Sequence, residues 1–197
     1  MSFREERAAE RKLNIIRTAA RLFSEKGYHE ATVEDIAKEL KYTKGSIYYY
    51  IQSKQDLLFE CHDLAMNMLM ASIDKIKESG LAPDLMLKEV IKGHVEIMVG
   101  ELNLINVSLA SDFLLQDEYA EIIVKKRDLY EESIKKIIVE GIKQGIFKPV
   151  PEKMVIFLIM GAINWISRWF SEKGPLSKEE IAQFYADYLL APLMLKQ

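Results

Sequence analysis

Cysteine, proline and glycine are scarce in this sequence. Of its 197 residues, one is cysteine, five are proline and nine are glycine. The single Cys61 excludes an intramolecular disulfide and a cysteine-rich zinc site, and His29, His62 and His94 lack the spacing of metal ligands. So few glycines and prolines exclude a collagen-like or low-complexity chain. We therefore expect a globular protein of the reducing cytoplasm, without metal or cofactor.

A long uninterrupted hydrophobic run is also missing. The longest apolar stretch covers residues 154–170 and is interrupted by Gly161, Asn164 and Arg168. It falls short of the roughly 20 apolar residues that span a bilayer. The N-terminal residues MSFREERAAERK are charged and lack the apolar core of a secretory signal. The sequence therefore predicts neither a membrane span nor export.

Positive charge is in slight deficit overall but is unevenly distributed. The chain has 27 basic and 30 acidic residues, a net charge of −3. Residues 1–54 hold 11 basic and 8 acidic side chains, a net charge of +3, which leaves −6 for residues 55–197. This asymmetry hints at a basic binding part on an acidic remainder, and the alternative is the chance imbalance that a solvated helix face often carries.

Apolar residues recur with the helical period along most of the chain. The predicted helices cover residues 6–26, 33–40, 44–51, 54–79, 84–102, 103–115, 117–144, 151–171 and 177–195. Thr32 with Asp35, Ser53 with Asp56 and Ser177 with Glu180 have the spacing of capping boxes. No segment alternates as a strand does, and there is no Asn-Gly or Asp-Gly hairpin signal. We predict an all-α fold of about nine helices.

The second and third predicted helices are short and separated by a brief turn, which is the spacing of a helix-turn-helix motif. In that motif the second helix enters the major groove of DNA. Here it reads Thr-Lys-Gly-Ser-Ile-Tyr-Tyr-Tyr from Thr43. Neighbours on a helix are about 100° apart, so Tyr48, Tyr49 and Tyr50 cannot all share the buried face of Ile47. The alternative is ordinary packing, with the rings in the core and the hydroxyls at the surface.

Lys44 and Gly45 favour the DNA-binding interpretation. Lys44 adds positive charge at a helix start, where free backbone N–H groups attract phosphate. A glycine inside a helix costs about 1 kcal/mol relative to alanine, which suits a position where the backbone closely approaches another molecule. We therefore predict that this helix binds the major groove.

A longer pattern covers residues 15–60. Its members are Phe23, Gly27, Tyr28, Thr32, Ile36, Ala37, Lys44, Gly45, Tyr48, Tyr50, Ser53, Lys54 and Leu57. The pattern resembles the DNA-binding part of the TetR family of bacterial repressors. Two positions depart from it, since Lys41 replaces the usual turn glycine and Ile51 the usual phenylalanine. A lysine held in the left-handed conformation would carry about 1 kcal/mol of strain.

The resemblance implies specific DNA contacts and a division into two domains. Lys44, Gly45 and Tyr49 would face base edges or the adjacent backbone, and Ser46 belongs to the same predicted binding set. Phosphate contacts would come from Thr32, Thr43, Tyr48, Tyr50 and Lys54. Residues 1–54 would form the DNA-binding domain, with three helices, and residues 55–197 a larger helical domain for effector binding and dimerisation.

The family resemblance also implies a homodimer that forms through the last two helices. Residues 151–171 and 177–195 are the most apolar helices of the chain and carry apolar residues on two faces. That pattern suits a four-helix interface between two subunits. An internal core is the alternative interpretation.

The effector is less well defined. Residues 164–181 resemble the C-terminal helices of TetR members that control lipid or steroid breakdown and respond to acyl-CoA thioesters. The predicted effector-binding residues are His94, Met98, Asn106, Phe113, Asn164 and Arg168. Arg168 or a surface lysine would meet the phosphates of the CoA. Each polar member has a purely structural role as its alternative, and free fatty acids or drug-like cations remain open as effectors.

The predicted protein is a repressor that binds a palindromic operator as a dimer and is released by a small apolar effector, with an acyl-CoA or a fatty acid as the candidates. Regulation of drug efflux in response to hydrophobic or cationic compounds is the alternative. An all-α enzyme is disfavoured because there is no glycine-rich phosphate loop, and Cys61 and His62 point about 100° apart on a helix. A helical adaptor that binds only protein would lack a salt-dependent affinity for DNA.

Overall fold

The computed structural model describes residues 3–195, except for the side chain of Asp112. Nine α-helices are present in these residues, which confirms the predicted all-α fold. They are α1 (Phe3–Lys26), α2 (Val33–Leu40), α3 (Lys44–Tyr48), α4 (Lys54–Lys77), α5 (Pro83–Gly100), α6 (Leu102–Ala110), α7 (Asp117–Lys143), α8 (Glu152–Trp169) and α9 (Lys178–Leu190). Short 3-10 helices follow α6 at Asp112–Leu114 and α9 at Ala191–Leu193.

Several helix ends differ from the predicted ones. Helix α6 ends at Ala110 rather than residue 115, and the chain continues as the 3-10 helix Asp112–Leu114, in which Leu114 N donates to Ser111 O at 2.9 Å. The hydroxyls of Ser108 and Ser111 donate to the carbonyls of Leu104 and Val107, at 2.9 and 2.6 Å, alongside the backbone bond from Ser111 N to Val107 O at 3.0 Å. Helix α9 ends at Leu190, just before Pro192, whose nitrogen has no hydrogen to donate.

Two of the three predicted capping boxes form as expected. Thr32 caps α2 and Ser177 caps α9, each through a reciprocal pair of hydrogen bonds. At the third site Asp56 N donates to Ser53 Oγ at 3.0 Å, but the Asp56 carboxylate accepts from the backbone of Gln52 at 2.8 Å. Ser53 therefore caps α4 as predicted, while the reciprocal bond of the box comes from Gln52 N instead of Ser53 N.

The chain divides into two compact units. The first consists of Met1–Ala65 and Asn103–Ile123. Its core is one apolar cluster to which α1, α2, α3, the start of α4 and α6 contribute; fully buried members include Ile15, Ile36, Ile47, Leu57 and Leu58. This unit is larger than the predicted DNA-binding domain of residues 1–54, because α6 and the start of α7 supply apolar residues to the same cluster.

The second unit consists of Met66–Leu102 and Val124–Gln197. Helix α5 packs against α8 and α9 at its centre, and Leu87, Ile91 and Met98 of α5 are fully buried. The ring of Phe147 is also fully buried and lies directly against Gly141 of α7, where an added Cβ would clash with it. Within residues 3–195 no helix combines the length and apolar character needed to cross a bilayer.

Candidate DNA-binding surface and effector residues

A tight turn connects α2 to α3. Lys41 ends α2 in the left-handed conformation, with φ 56°, and Tyr42 N donates to Ala37 O at 2.8 Å. Thr43 then starts α3, since its hydroxyl accepts from Ser46 N at 3.1 Å. Lysine therefore takes the conformation for which the family usually has glycine, at about 1 kcal/mol of strain.

Helix α3 is fixed to the first unit by one buried side chain and exposes most of the others. Ile47 is completely buried, whereas Lys44, Gly45 and Ser46 are exposed. Tyr49 is 78% exposed and Tyr48 is 43% exposed. The alternative interpretation, in which the tyrosine rings pack in the core, therefore applies to neither Tyr48 nor Tyr49.

Tyr50 differs from its two neighbours. Its ring is half-buried and packs against the apolar cluster of the first unit. It also meets the Tyr49 ring edge-on, with the ring centroids 5.0 Å apart. Tyr50 therefore supports the orientation of Tyr49 from the protein side.

Gly45 is not required by the protein's own packing. Its φ is not positive, so the backbone does not demand glycine. An added Cβ would have Thr43 Oγ1 as its nearest neighbour, at 4.0 Å, which is ordinary contact distance. The space that a side chain would occupy at Gly45 faces outward and is open to an external molecule.

Lys44 forms an ion pair with Glu34 of α2, and both side chains are exposed. The hydrogen bond from Lys44 lowers the pKa of the Glu34 carboxyl, and the same bond raises the pKa of the Lys44 amine. Surface ion pairs contribute little in water and are screened by salt. An external anion can therefore replace Glu34 at low cost.

Thr32 and Lys54 are held more firmly. The Thr32 hydroxyl donates to Asp35 Oδ2 at 2.9 Å and accepts from Asp35 N at 3.1 Å. Lys54 Nζ donates to the carbonyl of His29 at 3.1 Å and lies 4.5 Å from the centroid of the Tyr28 ring. Burial lowers the pKa of Lys54. This cation is thus fixed at the first turn of α4.

An open groove of about 710 Å³ runs beside α3 in the first unit. One wall is α3, and the other is the first part of α1. Its lining residues are Phe3, Arg4, Arg7, Ala8, Arg11, Thr43, Gly45, Ser46, Tyr49 and Tyr50. We call this the arginine groove. The three arginines are not among the residues predicted from the sequence to bind DNA, although their i, i+3, i+7 spacing places them on one helix face.

The predicted effector residues are divided between the two units. Asn106 and Phe113 belong to the first unit, where Asn106 is half-buried and Phe113 is 82% exposed. The other four residues belong to the second unit. Of these, Asn164 is half-buried with its carbonyl accepting from Ser167 Oγ at 2.8 Å, and Arg168 is exposed.

His94 and Met98 lie one turn apart on the buried face of α5. The His94 Nδ1 and the Tyr130 hydroxyl are 3.1 Å apart, and burial lowers the pKa of His94 to about 4. The imidazole is therefore neutral at physiological pH. Tyr130 is the partner that the sequence did not reveal, because it lies 36 residues further along the chain.

Large apolar side chains remain exposed on α8, α9 and the connection between them. They are Met154, Phe157, Leu158, Trp165, Trp169, Leu176, Phe184 and Tyr188. The rings of Phe184 and Tyr188 stack with their centroids 4.2 Å apart. An exposed set of this size is typical of a surface that contacts a partner.

Comparison with known proteins shows what the chain resembles. A sequence model described as "Bacterial regulatory proteins, tetR family" matches residues 15–61, and one described as "Tetracyclin repressor-like, C-terminal domain" matches residues 81–193. The HTH-type transcriptional repressor KstR2 of Mycobacterium tuberculosis is 25% identical over 189 residues, which cover 91% of each chain.

Two further proteins are similar over most of their length. The fatty acid metabolism regulator protein of Bacillus subtilis is 29% identical over 157 residues, or 77% of this chain and 79% of that protein. The crystal structure of AibR in complex with isovaleryl coenzyme A and operator DNA has a TM-score of 0.82 at 24% identity, over 93% of this chain and 100% of that one. The last comparison shows a shared fold.

Proposed function

Because the chain belongs to the TetR family of bacterial transcriptional repressors, we propose that it binds a palindromic operator as a homodimer and is released by a small apolar effector. The family and the matched relatives regulate transcription, which rules out the enzyme hypothesis. TetR regulators bind operator DNA, typically as dimers. The operator contacts, the dimer surface and the effector of this chain are our proposals.

The observation that carries the DNA-binding proposal is the contrast between Ile47 and Tyr49 on α3. Ile47 is fully buried and anchors the helix, while Tyr49 is 78% exposed. We assign Lys44, Gly45 and Tyr49 to the base edges and the adjacent backbone. Thr32, Thr43, Ser46, Tyr48, Tyr50 and Lys54 support this surface or contact phosphates. Phosphate contacts position such a helix, and base contacts give it specificity.

Lys44 would exchange one anionic partner for another on binding. In the free protein its ammonium is paired with Glu34. DNA phosphates or the acceptor edge of guanine offer stronger ligands, because several of them surround the helix in the groove. Binding at this residue is therefore an exchange of partners rather than the filling of an empty site.

The dimer would form through α8 and α9. The exposed aromatic and aliphatic side chains of these helices, including Trp165 and Phe184, would be buried against the same residues of a second copy. Two-fold symmetry makes such a surface complementary to itself. The buried side chains of α8 and α9, Ile159, Ile163 and Ile181 among them, already form the internal core of the second unit.

For the effector we propose an acyl-CoA or a free fatty acid. The B. subtilis relative is named for fatty acid metabolism, and AibR was crystallised with isovaleryl coenzyme A. In this chain, the buried face of α5 with His94 and Met98 offers apolar surface and one neutral polar pair. The exposed Arg168 can bind a CoA phosphate or a carboxylate.

Release of the operator requires coupling between effector and DNA. If the effector and the DNA bind best to different conformations of the dimer, each lowers the affinity of the dimer for the other, and by the same factor. Helix α4 runs without a break from Lys54 into the second unit and ends at Lys77. We propose that it transmits the change.

The decisive test uses a duplex that the wild-type protein selects from a randomised double-stranded pool. Lys44→Ala and Tyr49→Ala should lose affinity for this selected duplex in fluorescence anisotropy, yet keep the wild-type melting temperature and sedimentation, because both side chains are exposed. Glu34→Gln, which frees Lys44 from its partner, is the matched control and should retain binding. Wild-type affinity in both alanine variants would contradict the proposed reading surface.

The effector class is tested on the same complex. Acyl-CoAs of varied chain length, free fatty acids and hydrophobic cations are added in turn, and anisotropy and melting temperature are recorded. A true effector releases the duplex and also raises the melting temperature of the free protein, since it binds the native state. Release by cations alone would favour the drug-efflux alternative.

A further inference from the structure

We propose that Arg4, Arg7 and Arg11 of α1 bind the phosphate backbone of the operator next to the bases contacted by α3. This inference rests on the DNA-binding function proposed above and adds a second contact to it. The three side chains line one wall of the arginine groove, and α3 forms the other wall. Both walls belong to the first unit, so one compact body presents the two surfaces together.

The three arginines differ from the other cations of α1 in having no carboxylate partner within residues 3–195. Further along the helix, cations are paired: Lys12 with Glu60 at 2.6 Å, Arg21 with Glu25 and Glu39 at 2.9 Å, and Lys26 with Asp35 at 3.3 Å. Arg4, Arg7 and Arg11 are exposed. Their charges therefore remain available to an external anion.

Arg4 lies in the first turn of α1, where the helix dipole presents partial positive charge and acidic side chains such as Glu5 and Glu6 are preferred. Arg7 and Arg11 lie in the second and third turns. Arg7 is also held in a defined place, with its guanidinium carbon 4.3 Å from the centroid of the Phe3 ring. A stacked guanidinium keeps its N–H edge free to donate to phosphate oxygens.

The spacing of the arginines matches a DNA strand. From Arg4 to Arg11 the helix advances by about 10 Å, at roughly 1.5 Å per residue. A duplex whose axis lies along α1 would present about three phosphates of one strand over that length, at roughly 3.4 Å of axial rise each. Thr43 and Ser46 lie on the facing wall; their hydroxyl oxygens are 2.8 Å apart and share one hydrogen bond, which leaves one hydroxyl hydrogen to donate to the same backbone. An extended polyanion fits this open groove better than a small anion does.

The test compares two triple variants that change the net charge equally. One is Arg4→Ala, Arg7→Ala, Arg11→Ala. The matched control is Lys75→Ala, Lys136→Ala, Lys143→Ala, three exposed lysines on α4 and α7. Affinity for the selected duplex and for a scrambled duplex is measured from about 50 to 200 mM salt, the range over which phosphate contacts change affinity steeply. Melting temperature and sedimentation report folding and assembly.

We expect the arginine variant to lose affinity for both duplexes, with an unchanged ratio between them, because phosphate contacts carry no sequence information. Six lost contacts per dimer would reduce the slope of log affinity against log salt by about 5, at roughly 0.9 per phosphate. The lysine variant should retain the wild-type slope. Replacing the three arginines with lysine should restore most of the slope.

Each other outcome overturns a specific statement. An arginine variant with the slope of the lysine control overturns the backbone contact alone, provided Lys44→Ala still loses affinity. A changed ratio between the two duplexes would mean that the arginines read bases, which also contradicts the proposal. If the wild-type protein selects no duplex, or if Lys44→Ala binds normally, the underlying DNA-binding function fails as well.

Discussion

Replacing Gly45 with alanine should raise protein stability and lower operator affinity. A Cβ at this position meets Thr43 Oγ1 at 4.0 Å and nothing closer, and the backbone is not left-handed. The methyl group therefore fits without strain. Glycine to alanine at a compatible helical position stabilises by about 0.5–1 kcal/mol, and in a chain of this size each kcal/mol raises the melting temperature by about 2–4 °C.

The effect on DNA has the opposite sign. If the operator lies against the outward side of Gly45, the new methyl group occupies space that DNA needs. Overpacking of one methyl-sized group costs about 1–3 kcal/mol. That cost corresponds to a loss of about 5- to 150-fold in affinity for each recognition helix. Anisotropy with the selected duplex measures the loss, and differential scanning calorimetry measures the gain in stability.

Gly100→Ala is the matched control for this experiment. Gly100 is the last residue of α5, and an added Cβ there meets nothing within 4 Å. This variant should gain stability, to a smaller extent at a helix end, and leave DNA affinity unchanged. If Gly45→Ala is stabilised but binds the duplex as the wild type does, the close approach of DNA at Gly45 is refuted. If it melts lower, the reasoning about free space is refuted.

Two predictions concern the second unit. Burial lowers the pKa of His94 to about 4 from the ordinary 6.5. The stability that the neutral imidazole contributes is therefore complete above pH 6.5, and about 3 kcal/mol of it is lost as the pH falls towards 4. The free energies of urea unfolding of the wild type and of His94→Gln should diverge over that interval, and an equal dependence on pH in both proteins would refute the assignment. Gly141→Ala should lower the free energy of unfolding by about 1–3 kcal/mol, because the added methyl group clashes with the Phe147 ring. Adding Phe147→Leu should restore part of the lost stability in thermal melts. A Gly141→Ala variant as stable as the wild type would contradict the close packing.

The helices were predictable where local signals agree. Capping residues place the starts of α2 and α9 within one residue, because Thr32 and Ser177 cap them through neighbours three residues away. The prediction of α6 extends too far, because the apolar spacing continues to Leu114 and Leu115 while the backbone forms a 3-10 helix at Asp112–Leu114. Sequence periodicity does not distinguish that short 3-10 helix from a further turn of α-helix.

The candidate DNA-binding surface was predictable from α3 and not from α1. The order of residues from Thr43 already separates one buried side chain from the exposed ones. The predicted first helix starts at residue 6, which leaves Arg4 outside it, while the structure begins α1 at Phe3. Only the folded chain brings these arginines beside Tyr49.

The effector residues could not be assigned from sequence because their partners are distant along the chain. His94 finds Tyr130 on another helix, and no local pattern announces the pair. A buried histidine with an unknown partner is compatible with both a structural role and a ligand contact. Long-range packing decides which partner each polar side chain has.

On the DNA contact proposed for Lys44, its ion pair with Glu34 would affect how the protein discriminates among DNA sequences. If Lys44 turned to DNA, the Glu34 carboxylate would be left without its cation beside a negatively charged duplex. Its repulsion would offset part of the gain from the ion that DNA releases at Lys44. Lys44 then adds little to indiscriminate attraction along the chromosome, and its contribution is realised at sites that offer it a better ligand than its own carboxylate.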